Sequence, residues 1–141
     1  MKRLVFFLVA AALAAPTFAA IPARVTDALA ARYGHATNVE WKHMVAATKY
    51  EANFDLGKYR MDAWFDAKGK WLKSEKTLRK DMLPVSVKYT LDNSKYRQWK
   101  IRSSYESYSP GEKPAYFVKV KNGLFESRHL KFDDCGRMIK A

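Results

Sequence analysis

The sequence predicts an α+β fold: a tandem duplication in which each half supplies one helix and a four-stranded antiparallel meander, with both helices on one face of a joint sheet. Three observations carry this. First, Trp64-Phe65-Asp66-Ala67-Lys68-Gly69-Lys70-Trp71-Leu72-Lys73 and Lys131-Phe132-Asp133-Asp134-Cys135-Gly136-Arg137-Met138-Ile139-Lys140 share a plan: an aromatic strand end, Asp, Gly three positions later, a basic residue and two apolar ones. Asp suits the first corner of a type I turn, and Gly accepts the left-handed backbone that lets the chain double back. Second, each half opens with a stretch of helical period and continues with runs of period two. Third, matching residues of the halves keep offsets of 62 to 67 positions.

In chain order, Ile21-Pro22 opens the first helix, since Pro lacks the amide hydrogen that a first turn leaves unused. Val25, Ala28, Leu29 and Tyr33 fall on one face, and Gly34 is expected to end the helix in a left-handed cap. Val39 and Trp41 then alternate with polar neighbours, as do Tyr50, Ala52 and Phe54, and next Met61, Ala63 and Phe65 beyond a turn at Gly57-Lys58. A short strand from Lys70 to about Glu75 completes the first half. Residues 21–76 form this half, 77–82 a polar connector and 83–141 the second half.

The plan then repeats. Leu83-Pro84, Val87 and Leu91 answer Ile21-Pro22, Val25 and Leu29 at an offset of 62. Trp99, Ile101, Ser103 and Tyr105 alternate with Lys100, Arg102, Ser104 and Glu106. Tyr116, Val118 and Val120 answer Tyr50, Ala52 and Phe54 at an offset of 66, and Phe132, Asp133 and Gly136 answer Phe65, Asp66 and Gly69 at 67. Four of the extra residues fall in the Ser109–Pro114 loop, where length costs little. The fifth lies between Gly123 and Phe132, where it predicts a β-bulge.

The chain has 141 residues, 48% of them hydrophobic, and 26 Lys plus Arg against 14 Asp plus Glu give a net charge of +12. Such a field favours anionic partners. Residues 1–20 read as a signal peptide: Met1-Lys2-Arg3 is basic, Leu4 to Ala15 is apolar and uncharged, and Pro16-Thr17-Phe18-Ala19-Ala20 offers cleavage near Ala19 or Ala20. Its short, Ala-rich core argues against a retained anchor, and no Cys follows it to accept a lipid. Cleavage removes Lys2 and Arg3 and takes the charge from +12 to +10. The expected address is periplasmic or secreted, which argues against nucleic acid as partner. Cys135 is the only cysteine, so no internal disulfide forms. A monomer is expected, with a Cys135-linked dimer as the alternative.

Four stretches, Asn38-Val39-Glu40-Trp41, Lys49-Tyr50-Glu51-Ala52-Asn53-Phe54, Phe65-Asp66-Ala67-Lys68-Gly69-Lys70-Trp71-Leu72 and Leu83-Pro84-Val85-Ser86-Val87-Lys88, resemble the PepSY-like, β-lactamase-inhibitor-like proteins of bacterial envelopes. The resemblance spans nearly all of the mature chain and implies a secreted, non-enzymatic tandem-repeat module. PepSY-type proteins bind or restrain other proteins, peptidases among them, and β-lactamase inhibitor proteins grip their enzyme with an aromatic-rich sheet face. It therefore implies a binding sheet and supplies no catalytic residue.

With the helices on one side, the other side of the sheet stays wet, and the polar face of the strands offers candidates. They are Arg60, Asp62 and Trp64 in the first half, and Arg102, Tyr108, Phe117, Lys119 and Lys121 in the second. Aromatic rings supply contact area and cations orient a partner, as a protein interface or a polyanion groove requires. The competing reading packs Trp64 and Phe117 at the core edge, because a one-residue slip moves every side chain to the opposite face. No metal or cofactor is expected: His35, His43 and His129 are scattered, and Asp133-Asp134 reads as turn capping. No nucleophile elbow, phosphate loop or zinc-protease pair is present. A protein or peptide of the cell envelope is the expected partner; an anionic lipid or lipopolysaccharide surface is the alternative.

Overall fold

The computed structural model describes residues 20–141; the signal-peptide reading of 1–20 falls almost wholly outside the described residues. Two helices, α1 (Ala23–Arg32) and α2 (Val85–Asp92), lie against one sheet of eight strands: β1 (Thr37–Met44), β2 (Lys49–Leu56), β3 (Tyr59–Asp66), β4 (Trp71–Leu78), β5 (Lys100–Tyr108), β6 (Ala115–Asn122), β7 (Glu126–Phe132) and β8 (Met138–Lys140). The strands are antiparallel and neighbour one another in chain order. The α+β class is thus borne out. β4 runs on to Leu78, two residues into the expected connector, and joins the halves by pairing with β5 from Ser74↔Tyr108 to Leu78↔Ser104.

Period-two alternation puts one face of the sheet under the helices. Tyr50, Ala52 and Phe54 pair with Phe65, Ala63 and Met61, and these six close over Val25 and Leu29 of α1. Val118, Val120, Leu130 and Phe132 do the same with Val87 and Leu91 of α2. The core is therefore two apolar clusters. Between them, small buried serines line the inner face, each satisfied: Ser74 Oγ lies 2.7 Å from Tyr33 Oη and accepts Trp71 Nε1–H at 2.8 Å, and Ser104 donates to the Leu78 carbonyl at 2.8 Å.

The two Asp-to-Gly turns share their bonding. One Asp66 oxygen accepts the amides of Lys68 and Lys70 at 2.9 Å, and one Asp133 oxygen those of Cys135 and Arg137 at 3.0 and 2.9 Å. Gly69 and Gly136 take φ of +84° and +82°, and each turn presses on the start of a helix. A Cβ on Gly69 would lie 2.4 Å from the Arg24 carbonyl oxygen of α1, and one on Gly136 2.5 Å from Ser86 Oγ of α2. Both helices start from a proline in extended conformation, Pro22 and Pro84.

Three expectations need correction. Gly34 is not a left-handed cap: Tyr33 ends α1 at φ −129° because its ring is drawn inward against Phe54, 5.1 Å away. The fifth extra residue makes no bulge, for β6 and β7 pair without a shift from Asn122↔Glu126 to Tyr116↔Phe132. It sits in the hairpin turn, Gly123-Leu124-Phe125, where β2–β3 has only Gly57-Lys58; lengthening a turn keeps every inward residue inward. Register does shift where β7 pairs β8, between Lys131 and Phe132, as it does at Trp64 and Phe65 in β3, and a further shift, a bulge, lies in β5, between Ile101 and Ser103. Beyond it the alternation inverts, so that Ser104 rather than Ser103 is buried and the facing of Tyr105 and Tyr108 is exchanged.

Candidate binding face

Opposite the helices, the sheet carries side chains that are exposed or half-buried and never fully buried. Trp64 is placed there by β3, since its neighbours Ala63 and Phe65 point into the core. Its cross-strand partner Lys73 sets its ammonium 4.2 Å above the indole. Arg60, on the same strand, bonds Asp55 at 3.1 Å and reaches Glu40 at 3.9 Å. Asp62 accepts a hydrogen bond from Asn53. Arg60 and Asp62 are thus engaged within the sheet, whereas Trp64 with Lys73 presents a cation-backed ring.

Phe117 lies on the same face of β6. It stacks on Tyr105 of β5 with ring centroids 5.0 Å apart and planes 9° from parallel, and Lys131 of β7 places its ammonium 5.5 Å from the Phe117 ring. Burial and the Glu75 carboxylate across the sheet hold the Tyr105 phenol above its ordinary pKa. Lys119 pairs with Ser103 and His129, and Lys121 with Lys100 and Ser127, extending the patch along β6. Two strands lie between β3 and β6, which puts them three spacings or roughly 14 Å apart, so one partner can reach both aromatic groups.

Tyr108 is not on this face. Its register with Ser74 turns it to the helix side, where it joins Lys76, Glu106 and Tyr116 between the two core clusters. Lys76 Nζ bonds Glu106 at 2.9 Å, and Tyr116 donates to the same carboxylate at 3.4 Å. Burial first, and then the adjacent carboxylate, push the Tyr108 phenol up to about 12. Arg102 occupies the β5 bulge and is exposed. Sequence reasoning missed Lys73, Tyr105 and Lys131. Only cross-strand register brings them to Trp64 and Phe117, although the likeness of the two Phe-Asp turns could have placed Lys131 beside Phe117.

The charge of this face is uneven. On β1–β4, Glu40, Glu51, Asp55, Asp62 and Glu75 offset Lys42, Lys49, Arg60 and Lys73. On β5–β8 the face carries Lys100, Lys119, Lys121, Lys131, Lys140 and His129, and no carboxylate. Aromatic contact area beside a cationic field suits an acidic, partly apolar surface. Asp133, Asp134 and Cys135 form the one clustered set of metal-ligating types among the described residues. Its carboxylates are already engaged, Asp133 with Arg137 at 2.8 Å and Asp134 with Lys113 at 3.6 Å, while Cys135 is exposed in its turn.

The family model that matches residues 48–140 is described as "Putative beta-lactamase-inhibitor-like, PepSY-like". The chain belongs to this PepSY-like, β-lactamase-inhibitor-like family. Solved structures agree on the fold. A BLIP-like protein from Bacteroides fragilis NCTC 9343 superposes with a TM-score of 0.80 at 25% identity, over 88% of this chain and 86% of that one. A DUF2874 family protein from Bacteroides ovatus ATCC 8483 gives 0.78 at 21%, over 86% of each chain. One described as among "putative periplasmic proteins", from Bacteroides eggerthii DSM 20697, gives 0.76 at 18%, over 86% of this chain and 87% of its own. No curated protein matches. The PepSY-like assignment therefore rests on fold and family, and the site on the geometry above.

Proposed function

We propose that this PepSY-like chain is an exported, non-enzymatic binding protein whose uncovered sheet face holds a protein or peptide of the cell envelope and can inhibit it. The observation that carries the reading is the pair of cation-backed aromatic groups, Trp64 with Lys73 and Tyr105–Phe117 with Lys131, on the one broad surface the helices leave open. Lys119 and Lys121 steer the partner's acidic side, and Tyr105 takes the part that the sequence pattern gave to Tyr108. The halves are read as a tandem duplication, supported by the matched turns over Arg24 and Ser86. Export is supported by the leader-like residues 1–20 and by the description of the B. eggerthii neighbour.

The test is capture from envelope extract, comparing wild type with Trp64→Ala and Phe117→Ala. Central aromatic anchors typically carry about 2 kcal/mol or more, so each variant should weaken capture roughly thirtyfold while moderate salt leaves it largely intact. A partner that survives both aromatic changes, and is lost with Lys119→Ala plus Lys121→Ala or in moderate salt, would refute the reading and favour a polyanion.

A further inference from the structure

The β6–β7 hairpin ends in two apolar side chains with nothing to pack on. Leu124 is 80% exposed and Phe125 96%. The corresponding β2–β3 turn is one residue shorter and carries Gly57-Lys58, so the apolar pair comes with the added residue and is not needed to close a hairpin. The charges around the tip are one-sided. Lys100, Arg102 and Lys121 line an open groove of about 390 Å³ with Leu124 at its edge. Arg102 is there because the β5 bulge takes it out of the ladder. Lys95 and Arg97, in the loop before β5, line an adjoining cleft that Asn122 shares. Of the carboxylates nearby, Asp92 lines that cleft and Glu126 accepts a hydrogen bond from Asn122 at 3.0 Å along the hairpin.

We infer that this hairpin tip is a peripheral membrane contact: Leu124 and Phe125 enter the headgroup–acyl boundary of an anionic glycerophospholipid leaflet while Lys100 and Arg102 take its phosphates. The two parts need each other. A pair of apolar side chains gives weak partition alone, a basic cluster alone gives adsorption that salt removes, and together they give stable but reversible attachment. Leu124 and Phe125 sit in the turn beyond the Asn122 end of β6, so Trp64 and the Tyr105–Phe117 stack stay outside the groove, while Lys100 and Lys121 belong both to it and to the open face. The inference draws its cellular setting from the export reading and is independent of the sheet-face reading.

The experiment is co-sedimentation of the purified protein with vesicles of phosphatidylglycerol plus phosphatidylethanolamine, against vesicles of phosphatidylcholine. Wild type should sediment with the first and stay in solution with the second. Leu124→Ser with Phe125→Ser, and separately Lys100→Glu with Arg102→Glu, should each weaken binding at least roughly tenfold. Val85→Ser, at a position 82% exposed on α2, should change nothing, and unaltered melting curves should show all variants folded. The inference is overturned if wild type ignores phosphatidylglycerol, binds phosphatidylcholine equally, or binds lipopolysaccharide alone. It is equally overturned if the serine variant binds as wild type does, since attachment would then be charge adsorption without insertion. Trp64→Ala should leave vesicle binding intact, which keeps this outcome separate from that of partner capture.

Discussion

Replacing Glu106 by Gln would strand the Lys76 ammonium between the two apolar clusters. In the native fold the two groups meet at 2.9 Å, with their side chains only 21% and 13% exposed. The Tyr59 ring lies 4.7 Å from the ammonium, and Tyr116 donates to the other carboxylate oxygen. An exposed ion pair contributes about 0–1 kcal/mol, and breaking a fully buried one costs about 3–5 kcal/mol. This pair lies between those limits, so Glu106→Gln should cost about 2 kcal/mol, or roughly 8 °C in melting temperature for a domain of this size. Asp81→Asn supplies the contrast, because the Arg79–Asp81 side chains are 72% and 69% exposed and water screens their pair, so its loss should leave the melting curve nearly unchanged. A double-mutant cycle with Lys76→Met isolates the coupling, expected at about 1 kcal/mol or more. The alkaline limb gives a second reading. Burial is the largest single influence and lowers the Lys76 pKa, but the hydrogen bonds and charges of Glu106 and Tyr108 together outweigh it and the net shift is upward from 10.5, while Tyr108 rises from 10.0 to about 12. Both groups are protonated more firmly in the folded chain than in the unfolded one. Their contribution is therefore complete below about pH 10 and is lost as pH climbs through the folded values. Urea melts between neutral pH and pH 11 should show that loss in wild type and less of it in Glu106→Gln. An effect of Glu106→Gln no larger than that of Asp81→Asn would refute the reasoning.

The glycines of the matched turns give a comparative test: Gly69→Ala and Gly136→Ala should each cost about 2–4 kcal/mol in denaturant melts, combining left-handed strain with a collision against α1 or α2. Gly57→Ala has the same backbone sign but open space around it, and should cost about 1 kcal/mol. At low pH, Asp133 matters, because the Arg137 amide and then its guanidinium hold the carboxyl below its ordinary value. A depressed pKa contributes stability above the unfolded value and loses it as pH falls through the folded one, so Asp133→Asn should flatten the acid limb of a stability–pH curve near and below pH 4.

Much of the fold was legible because its strongest rules are local. An Asp-x-x-Gly turn needs a short carboxylate and a left-handed glycine, and the helix faces announce themselves through Val25, Leu29, Val87 and Leu91. What escaped depends on partners that sequence does not name. Gly34 looks like a cap until Tyr33 is seen pulled toward Phe54 and Ser74. Lys76 looks like the start of a solvated connector until Glu106 arrives from a strand thirty residues on.

The candidate face turns on one such event, the β5 bulge. Counting by twos from Ile101 sends Ser103 and Tyr105 inward and Tyr108 outward, and nothing in Ile101-Arg102-Ser103-Ser104-Tyr105 marks a skipped residue. Packing decides it. Position 104 faces the crowded join between β4 and β6, and its hydroxyl satisfies the Leu78 carbonyl there. Without the bulge, Ser103 would take that place and Tyr105 would take the place of Glu106 opposite Lys76, which would leave the ammonium without its carboxylate. Shifting by one residue puts Glu106 inside against Lys76 and releases Tyr105 to stack on Phe117. The same shift expels Arg102 toward the hairpin tip. Looping out Arg102 as a bulge thus keeps Tyr105 on the open face and places a cation in the groove beside Leu124. Deleting Arg102 closes the bulge yet leaves Ser103 opposite Lys119 and Tyr105 opposite Phe117, so that chain should keep partner capture and weaken in vesicle binding, the reverse of Trp64→Ala.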